Sequence, residues 1–127
     1  MRKIAVLALS VLLFAACQES LEERAAREAR QYTEKNCPAP LGEYIVMDSM
    51  SFDPSTHTLC YDYRFLGVMD TVAQHPEEMR ERLLSALKNA TALRLYKEEG
   101  YRFRYVYHSQ KRPDVVLFEA EFGKDDY

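Results

Sequence analysis

At 127 residues, with 47% hydrophobic and 29% charged side chains, the chain is long enough to bury one core and too short for two domains of ordinary size. A net charge of −3, from 17 basic and 20 acidic side chains, excludes the basic footprint on which nucleic-acid binding rests. Three cysteines, an odd count, leave at least one thiol with a fate other than an intrachain bridge.

The N-terminus has three parts. Arg2 and Lys3 make a short positive region, Ile4 to Ala16 form an apolar stretch broken only by Ser10, and the small residues Ala15 and Ala16 precede Cys17. The stretch falls well short of the ~20 residues a spanning helix needs, so it reads as a removed signal peptide. Phe14-Ala15-Ala16-Cys17 resembles the lipobox of the bacterial lipoprotein family, with Phe14 where Leu is usual, and the resemblance covers only the first 17 residues. It implies cleavage before Cys17, a diacylglyceryl thioether on its sulfur and a fatty acyl group such as palmitate on the new amine. Two or more chains anchor a protein stably, so the membrane is a partner through the lipid on Cys17. Gln18 is not the aspartate that retains lipoproteins in the inner membrane of enteric bacteria. The resemblance therefore implies the outer membrane of a Gram-negative envelope. The chain divides into a cleaved peptide (1–16), a lipidated cysteine with a short tether (17–19) and one domain (20–127). Without residues 1–16 it keeps 15 basic and 20 acidic side chains, a net charge of −5.

Ser20-Leu21-Glu22-Glu23 is a capping box and opens a predicted helix that Asn36 and Pro38 close, with Leu21, Ala25, Ala29 and Tyr32 on one face. Residues 43–52 and 58–66 alternate as strands around the turn Asp53-Pro54-Ser55-Thr56. Pro76 with Glu77 and Glu78 opens a second helix, striped by Met79, Leu83, Leu87 and Leu93 and closed by Gly100. Residues 101–108 and 114–122 alternate again, around Gln110-Lys111-Arg112-Pro113. A gapless shift of 57 residues lays the second half on the first with inward positions coinciding, a pseudo-repeat of helix-strand-strand.

The expected fold class is α+β: a two-layer sandwich of order αββαββ, with two helices on one face of a four-stranded antiparallel sheet. The strands run up, down, down, up. Full antiparallel pairing then needs order 1-2-4-3 or 2-1-3-4, and the first suits Arg102 and Arg104 on an edge strand and Val115 to Phe118 in a central one. The shape is that of a permuted ferredoxin-like sandwich, which carries no function by itself. In the second hairpin, opposite-charge pairing sets Arg104 against Glu119 and Arg102 against Glu121.

No catalytic constellation, metal-ligand spacing or cofactor loop is present, so no enzyme, metal or cofactor is expected. His57 and His108 fall in turns at opposite ends of the sheet, about 20 Å apart along a strand, and His75 precedes the second helix. With Cys17 carrying lipid, Cys37 and Cys60 remain. A bridge needs α-carbons within roughly 7 Å, whereas the helix end and Cys60 lie ~15 Å apart, so pairing requires residues 37–43 to wrap the sheet edge and stays open.

Six tyrosines, Tyr44, Tyr61, Tyr63, Tyr101, Tyr105 and Tyr107, share the inward alternation with Asp48. They form a phenol-lined core or a ligand pocket around Asp48, Tyr61 and Tyr105. Ile45, Met47, Val106, Val115 and Leu117 share the outer alternation with nothing left to cover them, a candidate partner surface. The leading expectation is a lipid-anchored, non-catalytic envelope protein that binds a protein partner, or itself, through this open sheet face. The alternatives are a small-molecule binder using the tyrosine-rich interior and an envelope enzyme. With Gln18 and Glu19 as the whole tether, its reach is ~10 Å, so a partner is expected near the lipid surface.

Overall fold

A computed structural model describes residues 18–71 and 74–127. The expected signal peptide, residues 1–16, and Cys17 lie outside the described residues. In chain order the elements are α1 (Leu21–Asn36), β1 (Ala39–Pro40), β2 (Ile45–Asp53), β3 (Thr58–Phe65), a 3-10 turn (Gly67–Asp70), α2 (Pro76–Asn89), a second 3-10 turn (Thr91–Leu93), α3 (Arg94–Glu98), β4 (Arg102–Ser109) and β5 (Val116–Phe122). The architecture is α+β, with three helices and one five-stranded mixed sheet among the described residues.

Helix α1 begins where the capping residues place it. Ser20 Oγ accepts from the Glu23 amide at 3.1 Å, and Glu22 and Glu23 put negative charge at the positive end of the helix dipole. Its buried residues are the small Ala25 and Ala29, which let the backbone approach β2 closely. Thr33 fastens the contact. Its hydroxyl lies 2.8 Å from the Met50 carbonyl and accepts from the Met50 amide at 2.9 Å. Tyr32, placed on the inward stripe from sequence, is exposed instead.

The predicted strand order is overturned. The order is β1-β2-β3-β4-β5, and β3 pairs with β4 in parallel. The expected strand directions are kept, but the demand for a fully antiparallel sheet fails, and with it the permuted ferredoxin-like arrangement. Parallel neighbours need a crossover of a dozen residues or more, and residues 66–101 supply one with α2, α3 and two 3-10 turns. Side chains reward this pairing. Tyr61 stacks on Tyr105 with ring centroids 5.0 Å apart and Tyr63 on Tyr107 at 4.5 Å, contacts that exist only if β3 and β4 are adjacent. Shifting β2 and β3 by 57 residues lands on β4 and β5, so the pseudo-repeat is a pair of hairpins laid side by side.

The second predicted helix breaks in two. Ala90 leaves helical geometry at ψ 91°, and Lys97 Nζ donates to the freed carbonyls of Leu87 at 2.8 Å and Lys88 at 3.2 Å. The break turns Tyr96 into the core, where its hydroxyl donates to Glu28 Oε2 at 2.9 Å and ties α3 to α1. Fully buried Leu59, Phe65, Leu87, Phe103 and Phe122 fill the space between helices and sheet.

The second hairpin is displaced by two residues from the expected register. Arg104 lies opposite Glu121 and Val106 opposite Glu119, with an irregularity between Tyr107 and His108. A two-residue slip preserves which face each side chain takes. The expected ion pairs therefore form diagonally, Arg102 to Glu121 at 3.0 Å and Arg104 to Glu119 at 2.6 Å.

Candidate docking groove

A bulge in β2 decides where the site lies. Register shifts between Met47 and Ser49, so Asp48 is the extra residue and the alternation reverses on its N-terminal side. Ile45 and Met47, assigned to the outer face from sequence, consequently turn inward: Met47 is 6% exposed within the core and Ile45 packs against it. Asp48 turns outward and its carboxylate accepts from Arg64 Nε at 2.8 Å. Asp48, Tyr61 and Tyr105 therefore do not converge on one pocket. Two of the three stack on each other inside and the third lies across the sheet.

The rest of the expected outer patch is also dispersed. Val106, flanked in register by Asp62 and Glu119, is only 4% exposed. Val115 is half-buried, and Leu117 packs partly on the core. The outer face carries paired charge: Arg64 with Asp48, Arg102 with Glu121, Arg104 with Glu119, and His108 Nε2 3.3 Å from Asp62.

The apolar surface that remains lies on the helix side, at the end of the sheet where β3 and β4 finish. Ile45, Phe65, Met69, Met79, Leu83 and Tyr107 line a groove of 520 Å³ between the first half of α2 and the strand ends. Polar residues of the same groove are Gln74, His75, Glu78 and Arg82, the last two joined by an ion pair at 2.5 Å. Gly67 adopts φ +53°, and a Cβ there would meet the Tyr44 ring at 3.1 Å, so the turn that delivers Met69 needs glycine. Asp70 holds the same turn to the β4–β5 loop by accepting from the Lys111 amide at 3.0 Å. The Ser109 side chain beside it, with that amide, keeps the Asp70 carboxyl below the usual carboxylate range. Burial pushes the Tyr105 and Tyr107 phenols up to about 12 and raises those of Tyr61 and Tyr63 further, so all four are neutral. Beyond the groove, at the same end of the molecule, Leu41 and Val68 are 56% and 54% exposed and Val116 45%.

The sequence stripe had already singled out Met79 and Leu83, as core. Met69 was missed because it sits in a connection, and its only signal was an apolar run, Leu66 to Met69, where a polar loop is expected.

Elsewhere the titratable groups pair locally. His57 Nε2 is 2.7 Å from Glu22 and its ring stacks on Tyr101 at 5.0 Å. Cys37 and Cys60 are free thiols, both raised by burial away from the reactive thiolate form. No cluster of three His, Cys, Asp or Glu among the described residues could hold a metal ion, and no described helix is long and apolar enough to cross a membrane.

Fold and groove define a class: a small α+β domain whose mixed sheet carries an apolar groove at one end. Residues 20–118 match a family described as a domain of unknown function, DUF8479, and the chain belongs to that family. Three solved structures share the fold. A Pseudomonas aeruginosa protein described as secreted has a TM-score of 0.67 at 13% identity, over 86% of this chain and 98% of its own. The pilotin EpsS of the Vibrio vulnificus type 2 secretion system has a TM-score of 0.65 at 13% identity, over 84% and 90%. The pilotin AspS of the Vibrio cholerae type II secretion system has a TM-score of 0.64 at 15% identity, over 90% and 98%. At these identities the likeness is one of fold. None of the curated proteins matches the chain by sequence.

Proposed function

We propose that the protein is a lipid-anchored, non-catalytic module of the Gram-negative envelope that binds a protein segment in the Ile45–Phe65–Met79–Leu83 groove, as a component of a secretion assembly. The observation that carries this reading is the groove: apolar walls and floor and a charged margin at Glu78 and Arg82, with exposed Leu41 and Val68 toward the same end of the molecule. Such a surface fits an amphipathic helix or strand that inserts two or three apolar side chains. The pilotin-like fold supports a secretion setting, and the lipobox supports an anchor on Cys17, cleavage after residue 16 and an outer-membrane location. Residues 20–127 are then the working domain, and the paired outer face stays solvated.

A photo-crosslinking residue at Met79 in the lipidated protein, expressed in a Gram-negative host, should trap a discrete envelope protein. Met69→Glu with Leu83→Glu should weaken that capture about tenfold or more, a loss of at least ~1.4 kcal/mol, while circular dichroism stays unchanged. Undiminished capture by the double variant refutes the groove as the site, and crosslinks only between copies of this chain make the partner a second copy.

A second reading rests on the groove's size. Its 520 Å³ falls within the roughly 300–1,000 Å³ of small-molecule sites, so an apolar ligand would also fit. Co-purified small molecules detected by native mass spectrometry, lost in the same double variant, would favour it over a protein partner.

A further inference from the structure

The described chain begins at one pole of the domain, and the groove lies toward the other. Ser20 caps α1 at the pole where Glu22 meets His57 of the β2–β3 turn at 2.7 Å, the Arg102 amide donates to the His57 carbonyl at 2.9 Å, and the Tyr127 hydroxyl donates to the Tyr101 carbonyl at 2.7 Å. The opposite pole is knit by Leu41 to Ile45, Leu66 to Tyr44 and Lys111 to Asp70. Strand β3 runs between the poles, and its 8 residues span about 25 Å.

We infer that the pole holding the β2–β3 turn, the α3–β4 junction and the C-terminal residues is the surface that faces the phospholipid, so that the groove points away from the membrane. This rests on the lipid-anchor reading above. Three observations carry it. First, Cys17 is three residues from the Ser20 cap, a reach of ~10 Å, less than half the distance to the groove's pole. Second, the residue before the cap is held against the helix: the Glu19 carboxylate accepts from Arg27 Nε at 3.1 Å. Third, α1 is tied to the rest by Glu22–His57, Glu28–Tyr96 and Thr33–Met50, which oppose the unwinding that would lengthen the tether.

Apolarity agrees with this direction. The exposed Leu41, Val68 and Val116 lie at the far pole, where the tether cannot bring them to lipid. A partner segment therefore reaches the groove from the aqueous side, about 25 Å beyond the headgroups rather than against them.

The test uses the full lipidated protein in vesicles of phosphatidylethanolamine and phosphatidylglycerol doped with a spin-labelled headgroup lipid. A fluorescent amino acid is placed at Ser55, in the β2–β3 turn, or at Lys111, in the β4–β5 loop. The Ser55 probe should be quenched several-fold more strongly than the Lys111 probe. Insertion of a flexible Gly/Ser linker between Glu19 and Ser20 should erase the difference while flotation with the vesicles persists. Equal quenching, or stronger quenching at Lys111, in protein that floats overturns the orientation and leaves the anchor standing. A difference that survives the linker overturns the tether as its cause, and failure to float overturns the anchor and the orientation together.

Discussion

Asp70 and the stacked tyrosines show how single side chains couple this fold to pH. Asp70 accepts from the Lys111 amide and lies beside Ser109, and its carboxyl is depressed in the folded protein. A depressed carboxyl binds its proton more readily in the unfolded chain. Its contribution is complete above the unfolded value near 3.8 and is lost as pH falls through the lower folded value. Asp70→Asn should therefore lower the urea midpoint at neutral pH and flatten the dependence on pH below that value. Tyr105 and Tyr107 have the opposite sign. Burial raises both phenols from 10 to about 12, so folding holds their protons more tightly. Stability is unaffected below pH 10 and should fall between 10 and 12. Tyr105→Phe with Tyr107→Phe should reduce that alkaline slope in denaturant titrations followed by circular dichroism. Asp48 gives the same lesson in geometry: as one unpaired residue in β2 it reverses the faces of Ile45 and Met47, and nothing in the alternation of 43–52 announces it.

Among the elements, α1 is the most sensitive to volume. Its contact with β2 depends on Ala25 and Ala29, almost wholly buried, so there is no slack for a longer side chain. Ala29→Leu should destabilise by ~1–3 kcal/mol through overpacking, read as a lower denaturant midpoint with an unchanged slope. The helix was legible from sequence because a cap is a local hydrogen bond: Ser20, three residues before the Glu23 amide, suffices to place its start. The second helix was legible only to Asn89. Its apolar stripe continues to Leu93, but the break at Ala90 depends on Lys97 reaching back to the Leu87 carbonyl and on Tyr96 finding Glu28, partners set by tertiary packing. The groove was legible in its parts. Met79, Leu83, Phe65 and Tyr107 all lay on inward stripes, but only the crossover brings them round one empty volume.

At the scale of the molecule, the proposed anchor and the proposed docking groove have separate tests. Wild-type protein should partition into the detergent phase and Cys17→Ala into the aqueous phase, with identical circular dichroism, because no described helix supplies another membrane attachment. Equal partition would remove the anchor and leave the groove intact. The amino-acid sequence by itself determined whatever depends on near neighbours: the lipobox-like pattern Phe14 to Cys17, the cap of α1, the turn at Asp53-Pro54-Ser55-Thr56, the inward faces of β3 and β4 and of β5 from Phe118 onward, and the repeat of 57 residues. Each arises from contacts a few residues apart or from the fixed two-residue period of a strand. Tertiary structure alone decided that β3 and β4 lie side by side in parallel, that one bulge turns Ile45 into the groove, and that the groove lies toward the pole opposite the chain's entry. Those features are choices among packings with the same local pattern. They are fixed by which aromatic rings stack and which crossover closes, and both depend on residues about forty apart in the chain.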